Sequence, residues 1–431
     1  MTSSAAAPSR TLGLYTATAL VVASMVGTGV FTTSGLLLQD LKSPWAVLAA
    51  WLLGGVLAVC GALSYGDLVK RMPESGGEYL FLSRMLHPAA GNMAGWVSLL
   101  VGFSAPLAAA AFGFGEYVKA WLPGCSPLWP GTVLLCACAA IHAIRPGGGV
   151  WLQNFAVTLN VLLMLAFVAY AAPHLPHADW RVSLSGDREP GAFPLALVWV
   201  SFSYAGWNAA VYIAAEVVEP ERVLPRALLT GTVLVAALYL ALNTAFLFAA
   251  PAAELAGKTE VARIAALALG GQAGADAVAA LVALALATSA SALMMAGPRV
   301  YARMAQDGYL PRLFQGGIAA PRASIALQCA LALALLWSTA FRSLLTYIGF
   351  TLGLSTAAAV IGLMCTKWRH GPSFSVTGWP LVPAVFLAGV VWMVAATVWR
   401  QPLESLWGLL TFALGWLNWR LSRPAPAVTA D

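Results

Sequence analysis

The stretch that decides the fold is Ala19-Leu20-Val21-Val22-Ala23-Ser24-Met25-Val26-Gly27-Thr28-Gly29-Val30-Phe31. Its first part is apolar and favours a helix, which the two glycines around Thr28 then weaken. The run is long enough to lie deep in a bilayer, where every backbone group needs a hydrogen-bond partner. An unwound segment at that depth is tolerated only where protein or a polar cavity covers it. The stretch therefore predicts a broken membrane helix whose freed backbone groups bind a small solute.

The composition places the whole chain in a lipid bilayer. Of the 431 residues, 60% are hydrophobic and 9% are charged, against roughly 45–50% and 25% in soluble proteins. The net charge of +6 comes from basic residues scattered singly between apolar segments, so we expect no nucleic-acid partner. No linker is long enough to separate domains, and residues 1–431 are interpreted as one membrane domain.

Apolar runs of spanning length recur along the chain. They predict twelve spans, at residues 12–38, 44–69, 91–121, 131–144, 151–172, 192–216, 226–250, 275–304, 323–341, 343–366, 379–399 and 403–421. With a cytoplasmic N-terminus, most of the 23 Lys and Arg residues fall on the inner side, so the positive-inside rule places both termini in the cytoplasm. A tight turn is predicted at Pro146-Gly147-Gly148-Gly149, because this backbone cannot continue a helix.

A second interrupted helix is predicted at Phe202-Ser203-Tyr204-Ala205-Gly206-Trp207-Asn208, in the middle of the sixth span. A single glycine pair in a membrane helix is more often a packing feature than a binding site. Two interrupted helices at corresponding positions of two halves instead indicate an inverted-repeat transporter.

Several motifs resemble one transporter family in the order in which they occur. They are Gly27-Thr28-Gly29-Val30-Phe31, which is similar to GxGIF; Tyr65-Gly66-Asp67-Leu68 and Pro73-Glu74-Ser75-Gly76-Gly77-Glu78-Tyr79, similar to YxEL and P(K/E)SGG(E/D)Y; Phe202 to Asn208, similar to FAYGGWN; Glu219-Pro220-Glu221-Arg222-Val223-Leu224-Pro225, similar to DPxRNLP; and Pro298 to Pro311, similar to SRxxxxxxREGHLP. These motifs are typical of the amino acid-polyamine-organocation superfamily, and the sixth-span segment resembles its L-type amino acid transporter branch.

This resemblance implies an all-α integral membrane protein with the leucine-transporter fold, which works by alternating access. Twelve helices would form five plus five inverted helices and two C-terminal ones. On this sequence the first repeat covers residues 11–172, the second covers 192–370, and helices 11 and 12 cover 378–422.

The expected substrate is a neutral amino acid held by the backbone of the two breaks. A broken helix offers amide donors for a carboxylate and free carbonyls for an ammonium, and the central parts of the spans carry no Asp, Glu, Lys or Arg. The resemblance implies amides of Thr28 and Gly29 for the carboxylate, carbonyls of Met25, Phe202 and Ala205 for the ammonium, and an aromatic gate at Phe202. The predicted substrate-binding residues are Met25, Gly27, Thr28, Gly29, Val30, Phe202, Tyr204, Ala205, Gly206, Trp207 and Asn208.

Two further positions are candidates for coupling and gating. Asn160 stands where many relatives carry a lysine in the pattern QDxxxxxK, and a neutral amide cannot exchange a proton near neutral pH. Exchange or facilitated transport is therefore favoured over proton symport. Glu216 lies at the inner end of the sixth span, where an ion pair could close an inner gate. We expect no catalytic residue and no cofactor. Ser289 and Ser291 are more simply explained as helix serines that bond their own backbone than as metal ligands, so we also expect no metal.

Other interpretations stay open. A related amine or polyamine exchanger would need an acidic side chain in the site, and a membrane enzyme would need a nucleophile, a metal cluster or paired carboxylates. A substrate sensor that binds without transporting would share the same sequence. Cys125 lies in the loop where animal L-type light chains bond a glycoprotein heavy chain, but the Ala-rich composition looks bacterial. We therefore expect no heavy-chain subunit and a location in the inner (cytoplasmic) membrane.

Overall fold

The computed structural model describes residues 10–144, 150–177, 184, 190–315 and 322–422. Its α-helices, in chain order, are α1 (Leu14–Met25), α2 (Thr28–Leu41), α3 (Pro44–Val69), α4 (Gly77–Met85), α5 (Pro88–Val97), α6 (Ala105–Val118), α7 (Leu128–Ile144), α8 (Val150–Ala171), α9 (Ala192–Tyr204), α10 (Pro220–Ala249), α11 (Ala252–Leu255), α12 (Val261–Gln306), α13 (Arg322–Ser338), α14 (Phe341–His370), α15 (Leu381–Arg400) and α16 (Pro402–Leu421). Shorter 3-10 helices cover Ala172–His177, Ala209–Glu216, Arg312–Phe314 and Gly371–Ser373, and a π-helical segment covers Ser98–Ser104. Within these ranges the β-type pairing is an isolated parallel bridge between Leu12 and Val217.

Many of these helices are long and apolar enough to cross a membrane. In the described residues there are eight such segments, at Leu14–Leu41, Pro44–Val69, Pro88–Val118, Gln153–Leu175, Pro220–Ala249, Val261–Gln306, Phe341–His370 and Leu381–Arg400. Leu128–Ile144 and Arg322–Ser338 are shorter apolar helices. The expectation of an all-helical, multi-pass membrane protein is confirmed, whereas twelve spans and an inverted repeat stay predictions. The turn predicted at 146–149 lies outside the described residues.

The first helix is broken, one residue earlier than the motif suggested. α1 ends at Met25, Val26 and Gly27 leave the helical conformation, and Thr28 already begins α2. The first turn of α2 is held by side chains of the next turn, since the Thr32 and Thr33 hydroxyls donate to the carbonyls of Thr28 and Gly29. Thr28 and Gly29 are therefore the N-terminal residues of a half-helix, where amides lack partners within the helix.

The second break lies directly against the first. α9 ends at Tyr204, and Gly206 has a φ of +104°, a conformation that side chains rarely adopt. A Cβ added to Gly206 would lie 2.5 Å from the carbonyl oxygen of Ser24. Because glycine alone combines this backbone angle with this contact, Gly206 brings the two breaks together.

The broken helix sits at the centre of the bundle. In the span Leu14–Leu41, 94% of the most apolar window is buried, against 22% in Gln153–Leu175 and 28% in Leu381–Arg400. The outer helices α8 and α15 thus present their apolar surface to lipid. Lipid tails are as apolar as the side chains themselves, so this surface needs no protein to cover it. The centre is left for α1, α2, α9 and α12 and for the groups that their breaks expose.

Candidate functional site

A cavity of about 110 Å³ lies between the two breaks. A buried water needs about 10–15 Å³ in comparable terms, so the space holds a ligand of several heavy atoms. Ten of the predicted substrate-binding residues line it, namely Met25, Gly27, Thr28, Gly29, Phe202, Tyr204, Ala205, Gly206, Trp207 and Asn208. Among the described residues that line this cavity, none is an Asp, Glu, Lys or Arg.

One wall of the cavity is suited to an anion. Thr28 is 2% exposed, and its hydroxyl oxygen has no hydrogen-bond partner in the described part of the chain. Its amide and that of Gly29 open α2, at the positive end of the helix dipole. A carboxylate placed there would satisfy a hydroxyl and helix-terminal amides together.

Residues at the C-terminal ends of α1 and α9 also line the cavity, and their carbonyl oxygens are acceptors at the helix ends. The Tyr239 hydroxyl lies 2.6 Å from the carbonyl oxygen of Met25 and 3.2 Å from that of Ser203. The carbonyl of Phe202 accepts from the amide of Ala205 at 2.9 Å. Since a carbonyl has two lone pairs, Met25 and Phe202 each keep one for a ligand. Sequence reasoning missed Tyr239, although a tyrosine in the middle of the apolar helix α10 was a usable signal.

Close packing of the half-helices fixes the cavity. A Cβ on Gly29 would lie 2.2 Å from the hydroxyl oxygen of Ser203 and 2.5 Å from its Cα, which is backbone. On Gly27 the nearest atom would be the Ser289 hydroxyl oxygen, at 3.3 Å. Gly29 is thus needed for the contact between α2 and α9, and Gly27 is less constrained.

Aromatic side chains close the remaining sides. The Tyr204 hydroxyl donates to the carbonyl of Trp51 at 3.0 Å, and its ring packs against Tyr239 with a centroid distance of 5.1 Å. Trp207 meets the ring of Tyr65 edge-on at 4.7 Å. Phe202 is 7% exposed and lines the cavity. The structure therefore brings the predicted aromatic residues to the site as walls.

Glu78 is a second residue that sequence reasoning missed at the site. Its carboxylate is 3% exposed and accepts hydrogen bonds from the Tyr65 hydroxyl at 2.8 Å, from Asn208 Nδ2 at 2.5 Å and from the Tyr212 hydroxyl. Glu78 belongs to the Ser75-Gly76-Gly77-Glu78-Tyr79 motif, which indicates the family but not a binding role. Its sequence separation from Asn208 gave no sign that the two side chains meet.

Three predicted positions lie away from the cavity. Val30 is fully buried and does not line it. Asn160 lines a separate void of about 10 Å³ beside α1; its Nδ2 donates to the Thr288 hydroxyl oxygen at 2.8 Å, while its Oδ1 has no partner in the described residues. Glu216 pairs with Arg299 of α12, with Oε1 and Nε 2.6 Å apart.

The serines of α12 divide between two environments. Ser289 lines the cavity, and Ser291 lies 2.9 Å from Nε2 of His142 on α7. A search of the described residues finds no group of three or more His, Cys, Asp or Glu that could hold a metal ion. The chemistry available in the cavity is therefore reversible binding by backbone, hydroxyl, amide and aromatic groups.

Two broken membrane helices that meet across an uncharged cavity define a membrane transporter. Residues 12–417 match the family model described as amino acid permease. The chain belongs to that family, within the amino acid-polyamine-organocation superfamily and its L-type-like branch, and it is a transporter rather than an enzyme.

Relatives with established descriptions support this assignment. The chain is 24% identical to the mouse large neutral amino acids transporter small subunit 2, over 94% of this chain and 79% of the relative. It is 24% identical to the mouse Asc-type amino acid transporter 1, again over 94% of this chain and 79% of the relative. It is 29% identical to the human b(0,+)-type amino acid transporter 1, over 58% of this chain and 54% of the relative.

Proposed function

We propose that this chain carries neutral amino acids across the cytoplasmic membrane by alternating access. The observation that carries the proposal is the unpartnered Thr28 hydroxyl at the N-terminus of α2, beside an uncharged cavity that Met25, Phe202 and Ala205 also line. A zwitterion matches both sets of groups, with its carboxylate on Thr28 and Gly29 and its ammonium on the carbonyls of Met25, Phe202 and Ala205. Phe202 closes the occupied site.

The proposed architecture is the leucine-transporter fold with twelve spans and both termini in the cytoplasm. The first repeat covers 11–172, the second covers 192–370, and two helices follow at 378–422. The breaks after Met25 and Tyr204 support it, because they interrupt the first helix of each repeat. Tilting of one half-helix at a time would open the cavity to one side.

We further propose that transport proceeds by exchange or facilitated diffusion. Asn160 supports this because its amide neither gains nor loses a proton near neutral pH, and its Nδ2 is already bonded to Thr288. We expect the chain to act without a heavy chain. Cys125, where such a partner would be bonded, is a free cysteine of intermediate exposure.

The test of the substrate class is counterflow in proteoliposomes, with a panel of labelled amino acids and with imposed proton or sodium gradients. Uptake driven by internal amino acid alone supports exchange. Uptake that requires a gradient would overturn the inference from Asn160, and substrate binding without flux would favour a sensor.

Thr28→Val tests the carboxylate subsite. Hydrogen bonds to charged groups contribute about 1.5–3 kcal/mol, so KM should rise at least about tenfold. Thr232→Val is the matched control, because Thr232 is equally buried in α10 but bonds its own helix at the carbonyl of Leu228. Equal KM values for Thr28→Val and wild type would refute this placement of the carboxylate.

A related amine or polyamine exchanger is the second candidate. The buried acid Glu78 favours it, because its carboxylate lies one hydrogen bond behind Asn208. Glu78 does not line the cavity, however, and a second ammonium would need direct contact with an acid. Including diamines in the counterflow panel separates the two candidates.

A further inference from the structure

Glu78 is a buried acid next to the cavity, and its three bonded partners come from different parts of the chain. Tyr65 lies on α3, Asn208 in the second break and Tyr212 in the 3-10 helix Ala209–Glu216. No ion pair in the described ranges includes Glu78. The carboxylate is thus held by hydrogen bonds from neutral groups rather than by a cation.

The bond between Glu78 and Asn208 determines how the Asn208 amide is turned. An ionised carboxylate only accepts hydrogen bonds, whereas a side-chain amide has a donating nitrogen and an accepting oxygen. The nitrogen of Asn208 must therefore face Glu78, as the 2.5 Å contact shows. The oxygen is on the other side of the amide, and Asn208 itself is half-buried at the edge of the cavity.

Asn208 also lines the cavity, and Glu78 does not. We propose that Glu78 is a positioning residue that holds the Asn208 amide with Oδ1 available to the substrate, so that this oxygen accepts a hydrogen bond from the substrate ammonium. This inference rests on the proposed function and adds a side-chain acceptor to its carbonyl acceptors. It also names the selected chemical feature, an N–H donor at the α-carbon.

The orientation presents an acceptor that an ammonium uses better than a hydroxyl does, because hydrogen bonds from a charged donor are roughly twice as strong as those between neutral groups. An ammonium offers three donors, whereas the hydroxyl of a 2-hydroxy acid offers one and carries no charge. The Glu78 carboxylate also lies one hydrogen bond behind Asn208, which favours the cationic group further. The site should therefore select amino acids over the matching hydroxy acids.

The experiment compares L-alanine with L-lactate, and L-leucine with its 2-hydroxy acid, in proteoliposomes. KM is measured for each amino acid, and the inhibition constant for each hydroxy acid as a competitor. In Glu78→Gln the new amide can donate to Asn208 Oδ1 and turn it inward. We expect KM for the amino acids to rise about tenfold, while the inhibition constants for the hydroxy acids change less than about twofold. A proportional rise of both constants, or no change in either, would overturn the proposal.

Tyr65→Phe is the matched control. It removes another hydrogen bond from the same Glu78 oxygen but leaves the bond to Asn208. The ratio of the hydroxy acid inhibition constant to the amino acid KM should therefore stay at the wild-type value. A ratio that falls as far as in Glu78→Gln would show a general loss of packing and would contradict the proposal.

Asn208→Ala keeps the proposal testable if Glu78→Gln does not fold. It removes the acceptor itself and should lower the same ratio, and an unchanged ratio would overturn the proposal. Failure of the proposed function is a different result, because wild-type protein would then show no amino acid counterflow at all.

Discussion

The hydroxyl of Tyr239 lies 2.6 Å from the carbonyl oxygen of Met25, the last helical residue before the first break. The same hydroxyl lies 3.2 Å from the carbonyl oxygen of Ser203, near the second break. A phenol has one proton to donate, so the two half-helices α1 and α9 share one donor on α10. If either half-helix moves away, the Tyr239 hydroxyl donates only to the carbonyl oxygen of the other half-helix.

Tyr239→Phe should therefore slow transport. Loss of the donor leaves two buried carbonyls short of a partner, which costs about 1–3 kcal/mol. We expect a lower unfolding temperature and a several-fold lower maximal flux, measured by thermal unfolding in detergent and by counterflow. Tyr347→Phe is the control, since the Tyr347 hydroxyl bonds Thr411 on α16, away from the breaks. Wild-type flux and stability in Tyr239→Phe would contradict the shared-donor interpretation.

Gly29→Ala should abolish uptake. The new Cβ would lie 2.5 Å from the Cα of Ser203, and because backbone cannot rotate away, α2 and α9 must separate. Overpacking of this kind costs about 1–3 kcal/mol. Uptake and unfolding temperature are measured together, with Gly13→Ala as control because a Cβ there has no atom within 4 Å. Full uptake by Gly29→Ala would mean that the contact is not needed.

The Glu216–Arg299 pair should stabilise the closed inner side. Glu216→Gln and Arg299→Gln each remove one partner of a contact of 2.6 Å between partly buried side chains. Neighbouring charges of this kind couple by about 0.5–3 kcal/mol, so the double variant should be less impaired in flux than the sum of the single variants. A double-mutant cycle on KM and maximal flux gives this coupling. Strict additivity would show that the pair is incidental.

Asn160→Lys should make transport sensitive to pH. A buried lysine can gain and lose a proton, whereas the asparagine cannot, and the substitution places the ammonium beside Thr288 and the end of α1. Counterflow is measured with and without a proton gradient in wild type, Asn160→Lys and the neutral control Asn160→Gln. We expect gradient dependence in the lysine variant alone. Equal dependence in wild type would locate proton coupling elsewhere.

Acid should weaken the loop between α3 and α4. A hydrogen bond from Arg84, with charges of Arg84 and Arg303 nearby, holds the pKa of Glu74 below its ordinary value of 4.5. A lowered folded-state pKa contributes stability above pH 4.5, and this contribution is lost as the pH falls through the folded-state value. Thermal unfolding at pH 7 and pH 3.5 should show a smaller acid-induced loss in Glu74→Gln than in wild type. The effect should be modest and reduced by salt, since both side chains are partly exposed.

The two breaks could be predicted from sequence because their cause is local. Glycine, small polar residues and an apolar surrounding all lie within a few residues of Gly27 and Gly206. The helices were predicted from local apolar runs in the same way. For α12 the predicted start at residue 275 is too late, because the helix begins at Val261 and Gly271 interrupts it without ending it.

Glu78 and Tyr239 could not be assigned to the site from sequence because their roles are tertiary. Glu78 lies in the first turn of the short helix α4, and its side chain reaches Asn208 across 130 residues of chain. Tyr239 looks like any aromatic residue in an apolar helix until α10 is placed against both breaks. Val30 shows the converse limit, because its position in a motif does not determine which way its side chain points.

The bridge between Leu12 and Val217 ties the chain just before α1 to the chain just after the 3-10 helix Ala209–Glu216. The amides of Thr11 and Leu12 donate to the carbonyl of Glu216 at 3.0 Å, and the amide of Val218 donates to the carbonyl of Leu12 at 2.9 Å. Because these hydrogen bonds join backbone groups, they do not depend on side-chain identity, and most substitutions at these positions should leave them in place. Proline at position 12 is the exception, because it has no amide hydrogen to donate and would remove one of these three hydrogen bonds.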